Sequence, residues 1–388
     1  MSEPGSFAHY TLTERLPKLC RRLPKENQFS PDIVENLHQL AAELPEGKVR
    51  SLRDTNAPDI ESWERYLMPY LGCRWLEIPW YFGEAYFYRR ILEATRYFEP
   101  GEWQGVDPFA YQKQQGLQGS MHSIHSLAAS VDRAFGKRDR QELIILCYFA
   151  LWGNRVDLSL WSAEEGDRSE IEIDRQRDRL LVDATPPIAD RLEEWYNKRI
   201  DIIADNAGFE VICDLCFADF LLGSDIAGTV NVHLKSYPTF VSDATVADVA
   251  QTIKFLSSQE DNAVRSLGKR LQQWRDRDRL ILRDNFFWTS PLAFWEMPDA
   301  LKTELANADL AIVKGDANYR RLNGNRHWNF TTPLSEIVSY FPAPLVMLRT
   351  LKSEVAMGLG PGQPERLNSI DPDWLTDGNW GVIQIANW

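Results

Sequence analysis

Two side chains that carry oxygen atoms, Asp205 and Asn206, directly follow the apolar run at residues 199–204 (RIDIIA). Residues 208–222 have the pattern of a helix, with Gly223 as its C-terminal stop. Oxygen ligands beside the start of a helix suit a hard divalent cation that also holds a phosphate, because backbone N–H groups point to the same place. The competing interpretation is an aspartate that only caps the helix in a βα turn.

Two further apolar runs also end in polar residues. Asp243 follows residues 238–242, where it is either a third oxygen ligand or a turn and cap residue. Gly315 follows residues 310–314 (LAIVK) and permits a tight turn. Residues 316–321 (DANYRR) then form a dense group of polar and cationic donors, with a solvated helix start as the plainer alternative.

A fourth run, residues 344–348, leads into Arg349 and Lys352. Both bases could supply a site with positive charge, although without this context they would count as ordinary surface residues. Each signal is weak by itself. Together, an Asp-Asn pair, an Asp, a Gly-Asp pair and two bases at the ends of apolar runs describe a metal-assisted phosphoryl-transfer site.

The runs themselves have the pattern of buried strands. Each is five to seven residues long and nearly continuously apolar, as strands covered on both faces are, and helical stretches lie between them: residues 199–204, 229–235, 310–314 and 344–349. This alternation predicts a Rossmann-like α/β/α sandwich with a parallel central sheet. Ligands of such sheets bind at the carboxyl ends of the strands, which is where the polar residues lie.

The first half of the chain has a helical pattern instead, at residues 31–44, 80–97, 121–135 and 141–152. A charge-rich run between residues 161 and 183 (EEGDRSEIEIDRQRDR at its centre) predicts an exposed connection. The sequence therefore predicts a mostly helical part over residues 1–185 and an α/β/α domain over residues 186–388.

Composition limits the possible functions. The 388 residues carry a formal net charge of −13, the wrong sign for a nonspecific binder of nucleic acid or anionic membranes. The longest apolar stretch, residues 143–152, is about half a membrane span. Five scattered cysteines and the lack of a signal-like N-terminus predict a cytoplasmic protein with no disulfide framework. The Cys213-x-x-Cys216 pair predicts buried packing rather than a zinc site.

The motifs resemble the metal-dependent damage-control phosphatases, and more closely their subfamily III, which includes proteins called acidic residue methyltransferase 1-like. The matching stretches cover nearly the whole chain: Asp205-Asn206-x-Gly-Phe-Glu210, Val241-Ser-Asp243, Lys314-Gly-Asp316-x-Asn-Tyr-Arg320, Arg349-Thr-x-Lys352, Pro79-Trp80 with Glu84 and Tyr88-Arg89-Arg90, and Leu151-Trp-Gly-Asn154-x-x-Asp157. The resemblance implies a metal-dependent phosphatase of phosphometabolites such as fructose 1-phosphate and fructose 6-phosphate.

The resemblance also implies roles for individual residues. A divalent metal (Mn, Co, Ni or Mg) would be bound by Asp205, Asn206 and Asp243. Substrate contacts would involve these three residues together with Glu210, Asp316, Ala317, Asn318, Tyr319, Arg320 and Lys352. Asp205, Asp316 and Lys352 are the candidate catalytic residues, and Asp205 either attacks the phosphorus itself or holds the metal while water attacks.

Two other functions remain open from the sequence. One is an S-adenosylmethionine-dependent protein carboxyl methyltransferase, although such enzymes usually have a Gly-x-Gly turn where this chain has residues 205–208 (DNAG). The other is a sugar-phosphate sensor without catalysis. The expected partner is a small phosphorylated metabolite, with neither nucleic acid nor a membrane required, and the sequence does not predict the oligomeric state.

Overall fold

The computed structural model describes residues 3–153 and 177–388. Asn154, Asp157 and most of the charge-rich run lie outside the described residues. The last part of that run is not the exposed connection expected from its charges, because residues Leu180–Asp183 form the first strand of the sheet, β1.

The described residues form one seven-stranded sheet with the order β1-β7-β6-β5-β2-β3-β4. The remaining strands are β2 (Lys198–Ile203), β3 (Ala227–Leu234), β4 (Leu280–Asp284), β5 (Leu310–Lys314), β6 (Leu345–Thr350) and β7 (Gly381–Ala386). Strands β6, β5, β2, β3 and β4 are mutually parallel. The expected parallel sheet is therefore present, with an addition: β7 is antiparallel to β6, and β1 pairs in parallel with β7.

All four strands predicted from the apolar runs are confirmed, with ends shifted by at most two residues. They are strongly buried, and every residue of β5 and β6 is buried. The order of the strands in the sheet also indicates where a ligand site is expected. The chain runs from β2 to β3 and β4 on one side and returns to β5 and β6 on the other, so the topological switch point lies between β2 and β5.

The helices alternate with the strands in the second half of the chain and dominate the first. Their bounds are α1 (Phe7–Tyr10), α2 (Leu16–Glu26), α3 (Pro31–Glu46), α4 (Ile60–Leu67), α5 (Trp80–Ala94), α6 (Ala110–Gly119), α7 (Met121–Ala134), α8 (Arg140–Trp152), α9 (Thr185–Glu194), α10 (Phe209–Gly223), α11 (Val246–Ser257), α12 (Asn262–Asp276), α13 (Asp299–Leu305), α14 (Asp316–Leu322), α15 (Leu334–Ile337) and α16 (Gln363–Ile370). A π-helical turn (Thr11–Arg15) joins α1 to α2, and short 3-10 turns lie at Met68–Tyr70, Trp75–Glu77, Phe286–Thr289 and Phe294–Glu296.

The chain divides into two compact units. The first, the N-terminal unit, comprises Met1–Gln115, Tyr237–Ser242 and Thr289–Pro291. Its core is rich in aromatic side chains, and the ring of Trp75 stacks on that of Tyr86 with 4.7 Å between their centres. The dense aromatic pattern of residues 80–97 corresponds to α5, whose residues are nearly all buried.

The second unit comprises Gly116–Ser236, Asp243–Trp288 and Leu292–Trp388 and contains the whole sheet. Helices α7 and α8 belong to it, so the units divide near residue 115 rather than at the expected boundary of residue 185. The reason is their apolar faces: Leu127, Leu146 and Phe149 share one buried cluster with α10 and the strands. A helical pattern alone does not show which core a helix completes.

This arrangement predicts the behaviour of a truncated chain. A chain that begins at Asp190 lacks α7 and α8, and α8 alone contributes nine buried side chains to the second unit. Burial of a large apolar side chain stabilises by roughly 1.5–3 kcal/mol, so the loss is of the same size as the about 5–15 kcal/mol that stabilises a typical domain. We expect insoluble material on expression. A chain that begins at Gly116 retains both helices and is the control; equal solubility of the two would contradict the expectation.

Within the described ranges, no helix is long and apolar enough to cross a membrane.

Candidate active site

The three predicted metal ligands are brought together at the end of β2. The backbone N–H of Ala244 donates to the carbonyl of Asp205 at 2.8 Å, and Asn206 and Asp243 form an antiparallel bridge. Asp205, Asn206 and Asp243 are all buried, with at most 9% of their surface exposed. Residues that are far apart in the sequence therefore meet at the carboxyl edge of the sheet, as their positions after apolar runs predicted.

The turn before Asp243 is strained. Phe240 and Val241 have φ angles of +48° and +69°, in the left-handed region that side chains other than glycine rarely adopt. The strain is greatest for the β-branched Val241. Such strained residues concentrate at functional sites, where the surrounding structure holds them in place. Here the turn delivers the carboxylate that pairs with the Asn206 segment.

Carboxylates are concentrated around Asp205. The Asn206 amide donates to Asp205 Oδ2 at 2.9 Å and to Glu210 Oε2 at 2.8 Å. Burial raises the pKa of the Asp205 carboxyl well above its usual range, and the Glu210 and Asp243 carboxylates raise it further. Asp205 Oδ1 is buried and has no hydrogen-bond donor among the described residues. A carboxylate oxygen in this state lacks a cationic or hydrogen-bonding partner.

Two buried lysines offset part of the negative charge. The Lys235 ammonium lies 3.3 Å from Asp243 Oδ2, and the Lys314 ammonium lies 2.6 Å from Asp214 Oδ1 and 3.5 Å from Glu210 Oε1. Although burial acts to lower it, the Asp214 and Glu210 carboxylates hold the pKa of Lys314 above its usual value. Burial raises the pKa of Asp214 to about 6, so the pair with Lys314 is charged at neutral pH.

Sequence reasoning missed Lys235, Lys314 and Asp214 as members of the site. A signal was present for the lysines, since Lys235 follows the last residue of β3 and Lys314 is the last of β5. A charged residue at the end of an otherwise apolar strand indicates that a group of opposite charge lies near it at the edge of the sheet. Asp214 gave no such signal, because it lies within the apolar pattern of α10.

Gly315 lies against the Asp205 carboxylate. Its φ angle is +86°, and a Cβ atom added there would be only 2.0 Å from Asp205 Oδ2. No side chain fits without moving the carboxylate. The turn after β5 therefore needs glycine both for its backbone conformation and for this close approach.

We expect Gly315→Ala to destabilise the protein by about 2–4 kcal/mol, through backbone strain and displacement of Asp205. We also expect the catalytic activity to fall about tenfold or more, because small displacements of reacting groups are costly. Gly136→Ala is a matched control, since Gly136 has a φ angle of +75° with no atom within 4 Å of the added Cβ. Urea unfolding and activity assays measure the two effects. Equal losses in the two variants would show that contact with Asp205 is unimportant.

Asp316, at the start of α14, binds the segment that follows β6. Its Oδ1 accepts from Arg349 Nε at 2.8 Å, from the backbone N–H of Lys352 at 3.2 Å and from the Ser353 hydroxyl at 3.0 Å. Burial acts to raise its pKa, but the Arg349 and Arg320 guanidinium groups hold the pKa of Asp316 below its usual value. Asp316 is thus a charged anchor for the predicted Lys352 motif.

Arg349 makes hydrogen bonds within the protein, so its charge is not available to a ligand. It is 1% exposed and donates to the Val355 carbonyl at 2.6 Å and to the Ser353 carbonyl at 3.1 Å, in addition to Asp316. Its guanidinium also lies over the Tyr319 ring, 4.0 Å from the ring centre. The sequence suggested that Arg349 could supply charge to the crevice, but its donors are directed to the protein.

Arg349→Lys tests this structural role. Lysine keeps the charge but cannot reproduce the planar, forked set of hydrogen bonds. We expect the free energy of unfolding to fall by about 2–4 kcal/mol, measured by urea denaturation. Arg366→Lys, at an exposed position on α16, should change it by less than about 0.5 kcal/mol. If Arg349→Lys lowers the free energy of unfolding by no more than the control does, Arg349 does not have this structural role.

Lys352 has different surroundings. Its side chain is only partly buried, and the structure gives it no ion-pair partner among residues 3–153 and 177–388. Its charge acts on Asp205, whose pKa it lowers against the effect of burial. Asp316 fixes its backbone. The result is a positioned ammonium group that is available to a ligand at the carboxyl edge of the sheet.

The other predicted substrate residues on α14 make contacts within the protein. Asn318 donates to the carbonyls of Ala204 at 3.2 Å and Lys314 at 2.8 Å. The Tyr319 hydroxyl accepts from the backbone N–H of Met357 at 3.1 Å, and Arg320 Nε donates to Asn325 at 3.0 Å. Ala317 is half-buried and offers no polar side chain. Substrate contacts by these four residues stay predictions.

The donor set fits a hard divalent cation. Asp205, Asn206 and Asp243 offer only oxygen atoms as ligands, which Mg²⁺ and Mn²⁺ prefer. The described part of the chain contains no group of three or more His, Cys, Asp or Glu side chains arranged for a metal. In the predicted set of ligands, the amide oxygen of Asn206 would be the third. The unpartnered Asp205 Oδ1 is the atom that such a cation would satisfy.

Comparison with known proteins identifies close relatives of the chain. Residues 11–367 match the model of the damage-control phosphatase ARMT1-like domain. The chain is 32% identical to the damage-control phosphatase ARMT1 of Rattus norvegicus, 33% to that of Danio rerio and 30% to that of Homo sapiens. These alignments cover 98–99% of this chain and 95–96% of the relatives. A solved DUF89 family protein from Pyrococcus horikoshii aligns over 90% of this chain and 96% of its own, with 15% identity and a TM-score of 0.48.

Proposed function

Because the chain belongs to the ARMT1-like damage-control phosphatase family, we propose that it is a divalent-metal-dependent phosphatase of small phosphorylated metabolites. We further propose sugar phosphates such as fructose 1-phosphate and fructose 6-phosphate as substrates. One observation carries the proposal: Asp205, Asn206 and Asp243 meet at the switch point of the sheet, and a buried Asp205 oxygen lacks a donor within the described residues.

Asp205, Asn206 and Asp243 would hold the metal, which when bound polarises a phosphoryl oxygen and neutralises its charge. The amide side chain of Asn206 in this set of ligands affects how the substrate binds. An asparagine in place of a third carboxylate lowers the negative charge that a phosphate dianion meets. Lys235 lowers it further through its ion pair with Asp243.

The residues of the chain then orient the phosphate ester. Lys352 offsets the negative charge that develops on the phosphoryl oxygens during transfer. Asp316 holds the backbone of Lys352 and so fixes where the side chain begins. The proposed site combines oxygen ligands with a positive charge, as phosphoryl transfer requires.

The methyltransferase alternative gains no support from the site. The turn after β2 is filled by the Asp205 and Asn206 side chains and their carboxylate partners. An adenosyl cofactor in a Rossmann-like fold needs an open, glycine-rich turn at this place. Only Gly208 in this turn has a positive φ angle, and it is the N-cap residue immediately before α10.

A substrate screen tests the proposal. The purified chain is assayed for phosphate release from a panel of sugar phosphates, with Mn, Co, Ni and Mg in parallel and with excess chelator as the control. We expect turnover with at least one metal and none in chelator. Full turnover in chelator would contradict the metal requirement, and methyl transfer from S-adenosylmethionine without phosphate release would contradict the phosphatase.

A further inference from the structure

The segment Tyr237–Ser242 comes from the second half of the sequence but belongs to the N-terminal unit. We call these six residues the inserted loop, because they connect β3 to Asp243. The chain is closed on either side of the loop by a backbone hydrogen bond, from the N–H of Lys235 to the carbonyl of Ala244 at 3.0 Å. A predicted metal ligand therefore directly follows a loop that is part of the N-terminal unit.

The inserted loop is anchored at its first residue, Tyr237. This side chain is buried, and its hydroxyl accepts a hydrogen bond from the indole N–H of Trp63 at 3.3 Å. The ring of Phe98 meets the Tyr237 ring edge-on, with 5.6 Å between their centres. Both ends of the tyrosine are thus held, its ring by packing and its hydroxyl by a donor. The anchor lies six residues before Asp243, so it does not by itself direct that carboxylate.

Closer to Asp243, the Phe240 side chain is held by two tyrosines of α5. Its ring lies 4.8 Å from the Tyr88 ring and stacks on the Tyr81 ring at 5.7 Å, with 21° between the planes of the stacked pair. Both tyrosines are buried, and Phe240 is half-buried. Aromatic pairs at such distances stabilise by more than the burial of their area. Val241 packs against the same aromatic core. The N-terminal unit therefore holds the turn by two consecutive side chains.

The turn needs these contacts because its backbone is strained. Phe240 and Val241 both have positive φ angles, and the Ser242 N–H donates to the Phe240 carbonyl at 2.8 Å to close the turn. A strained conformation persists only where the surrounding structure holds it. Without the packing of its side chains, the turn would relax toward the common backbone regions. Rotations two and three residues before Asp243 would then move its carboxylate.

We propose that Tyr81 and Tyr88 are positioning residues of the candidate metal site. By holding Phe240, they keep the strained turn in the conformation that directs the Asp243 carboxylate to the site. This inference rests on the function proposed above, in which Asp243 is a metal ligand, and it gives the N-terminal unit a part in that function. The tyrosines act through the loop and touch neither metal nor substrate. In the competing interpretation, the aromatic contacts only complete the N-terminal core.

Phe240→Ala tests the proposal, because it removes the ring that both tyrosines contact. In the metal-free protein we expect about tenfold faster amide exchange at residues 243–245, where the Ala244 N–H donates to the Asp205 carbonyl. Calorimetric titration with Mn²⁺ should give an affinity about tenfold lower, since a carboxylate that is not held must be ordered on binding. Phe240→Tyr retains the ring and should match the wild type in both measurements.

Phe330→Ala is the matched control. Phe330 is also half-buried, and its ring lies 5.6 Å from that of Trp374. Both alanine variants should lower the melting temperature, but only Phe240→Ala should change the exchange at residues 243–245 and the affinity for Mn²⁺. Equal exchange and equal affinity in the two variants would overturn the proposal. If the wild-type chain does not bind Mn²⁺, the function proposed above fails, and the exchange measurement alone decides this inference.

A double-mutant cycle then assigns the effect to Tyr88. Tyr88→Leu keeps an apolar side chain in the core but removes the ring. It should weaken Mn²⁺ binding in the wild-type background and have little further effect in Phe240→Ala, because the ring through which it acts is already absent. Equal losses in both backgrounds would contradict the proposal. The same cycle with Tyr81→Leu tests the second tyrosine, and it decides the question if Tyr88→Leu does not fold.

Discussion

Asp205→Ala should remove bound divalent metal and lower kcat/KM for sugar phosphates by about 10³-fold or more. A metal that acts as a Lewis acid contributes several kcal/mol of transition-state stabilisation, and each factor of ten corresponds to about 1.4 kcal/mol. The reason lies in the surroundings of the side chain. Asp205 presents a buried carboxylate oxygen without a donor in the described chain, and it is flanked by Asn206 and Asp243.

The folded state should tolerate this change. Burial and two neighbouring carboxylates raise the pKa of Asp205, which means that its charged form is unfavourable in the metal-free protein. Removal of the carboxylate should therefore leave the metal-free melting temperature unchanged or higher. A loss of activity with unchanged stability separates a role in the site from a role in folding.

Two variants complete the experiment. Asp205→Asn keeps the shape of the side chain and should also lose metal, since a neutral amide cannot replace the charge. Asp299→Ala removes a fully exposed aspartate and should keep both metal and activity. Metal content is measured by mass spectrometry after gel filtration, and kinetics by phosphate release. Normal metal content in Asp205→Ala would remove this residue from the ligand set.

The position of the site was predictable because it follows from topology. Strands that are buried on both faces have recognisable apolar runs, and parallel strands bring their carboxyl ends to one edge. Asp205 and Gly315 follow such strands, so their meeting at the switch point needed no three-dimensional information. Asp243 follows a turn instead of a strand, and its place beside Asn206 is visible only in the structure.

The roles of the charged residues were less predictable, since burial decides them. Arg349 and Lys352 looked alike in the sequence, three positions apart after one strand. The structure buries the first completely in hydrogen bonds to Asp316 and Ser353, and leaves the second partly exposed. Whether a base binds the protein or the substrate depends on partners far away in the chain, and one sequence does not contain that information.

The direction in which β7 pairs and the core to which α7 and α8 belong could not be predicted for the same reason. The run at residues 381–386 (GVIQIA) resembles any short strand, but it pairs antiparallel to β6. Its direction depends on the path of the preceding chain, residues 351–380, which has no strong pattern of its own. Likewise, the apolar faces of α7 and α8 predict burial but not the sheet-containing core in which they are buried.

Lys352→Ala should lower kcat/KM for sugar phosphates by about 10²-fold, the scale for loss of one preorganised charge at a developing anion. Metal affinity should be unchanged or slightly higher, because an ammonium that acts on Asp205 opposes a second cation there. Stability should change little, since the side chain is partly exposed and has no ion-pair partner in the described chain. This combination distinguishes Lys352 from the metal ligands, whose loss affects metal binding first.

Lys352→Arg separates charge from geometry. Arginine retains the positive charge but has a longer, planar head group, so it should recover part of the lost activity and leave a deficit mainly in kcat. Lys269→Ala, at an exposed lysine on α12, is the matched control and should retain wild-type kinetics. Phosphate release over a range of substrate concentrations gives kcat and KM for each variant. If Lys352→Ala stays within about twofold of wild type, Lys352 is only a surface base. In that case Asp316, which fixes the backbone of Lys352, would serve the fold alone.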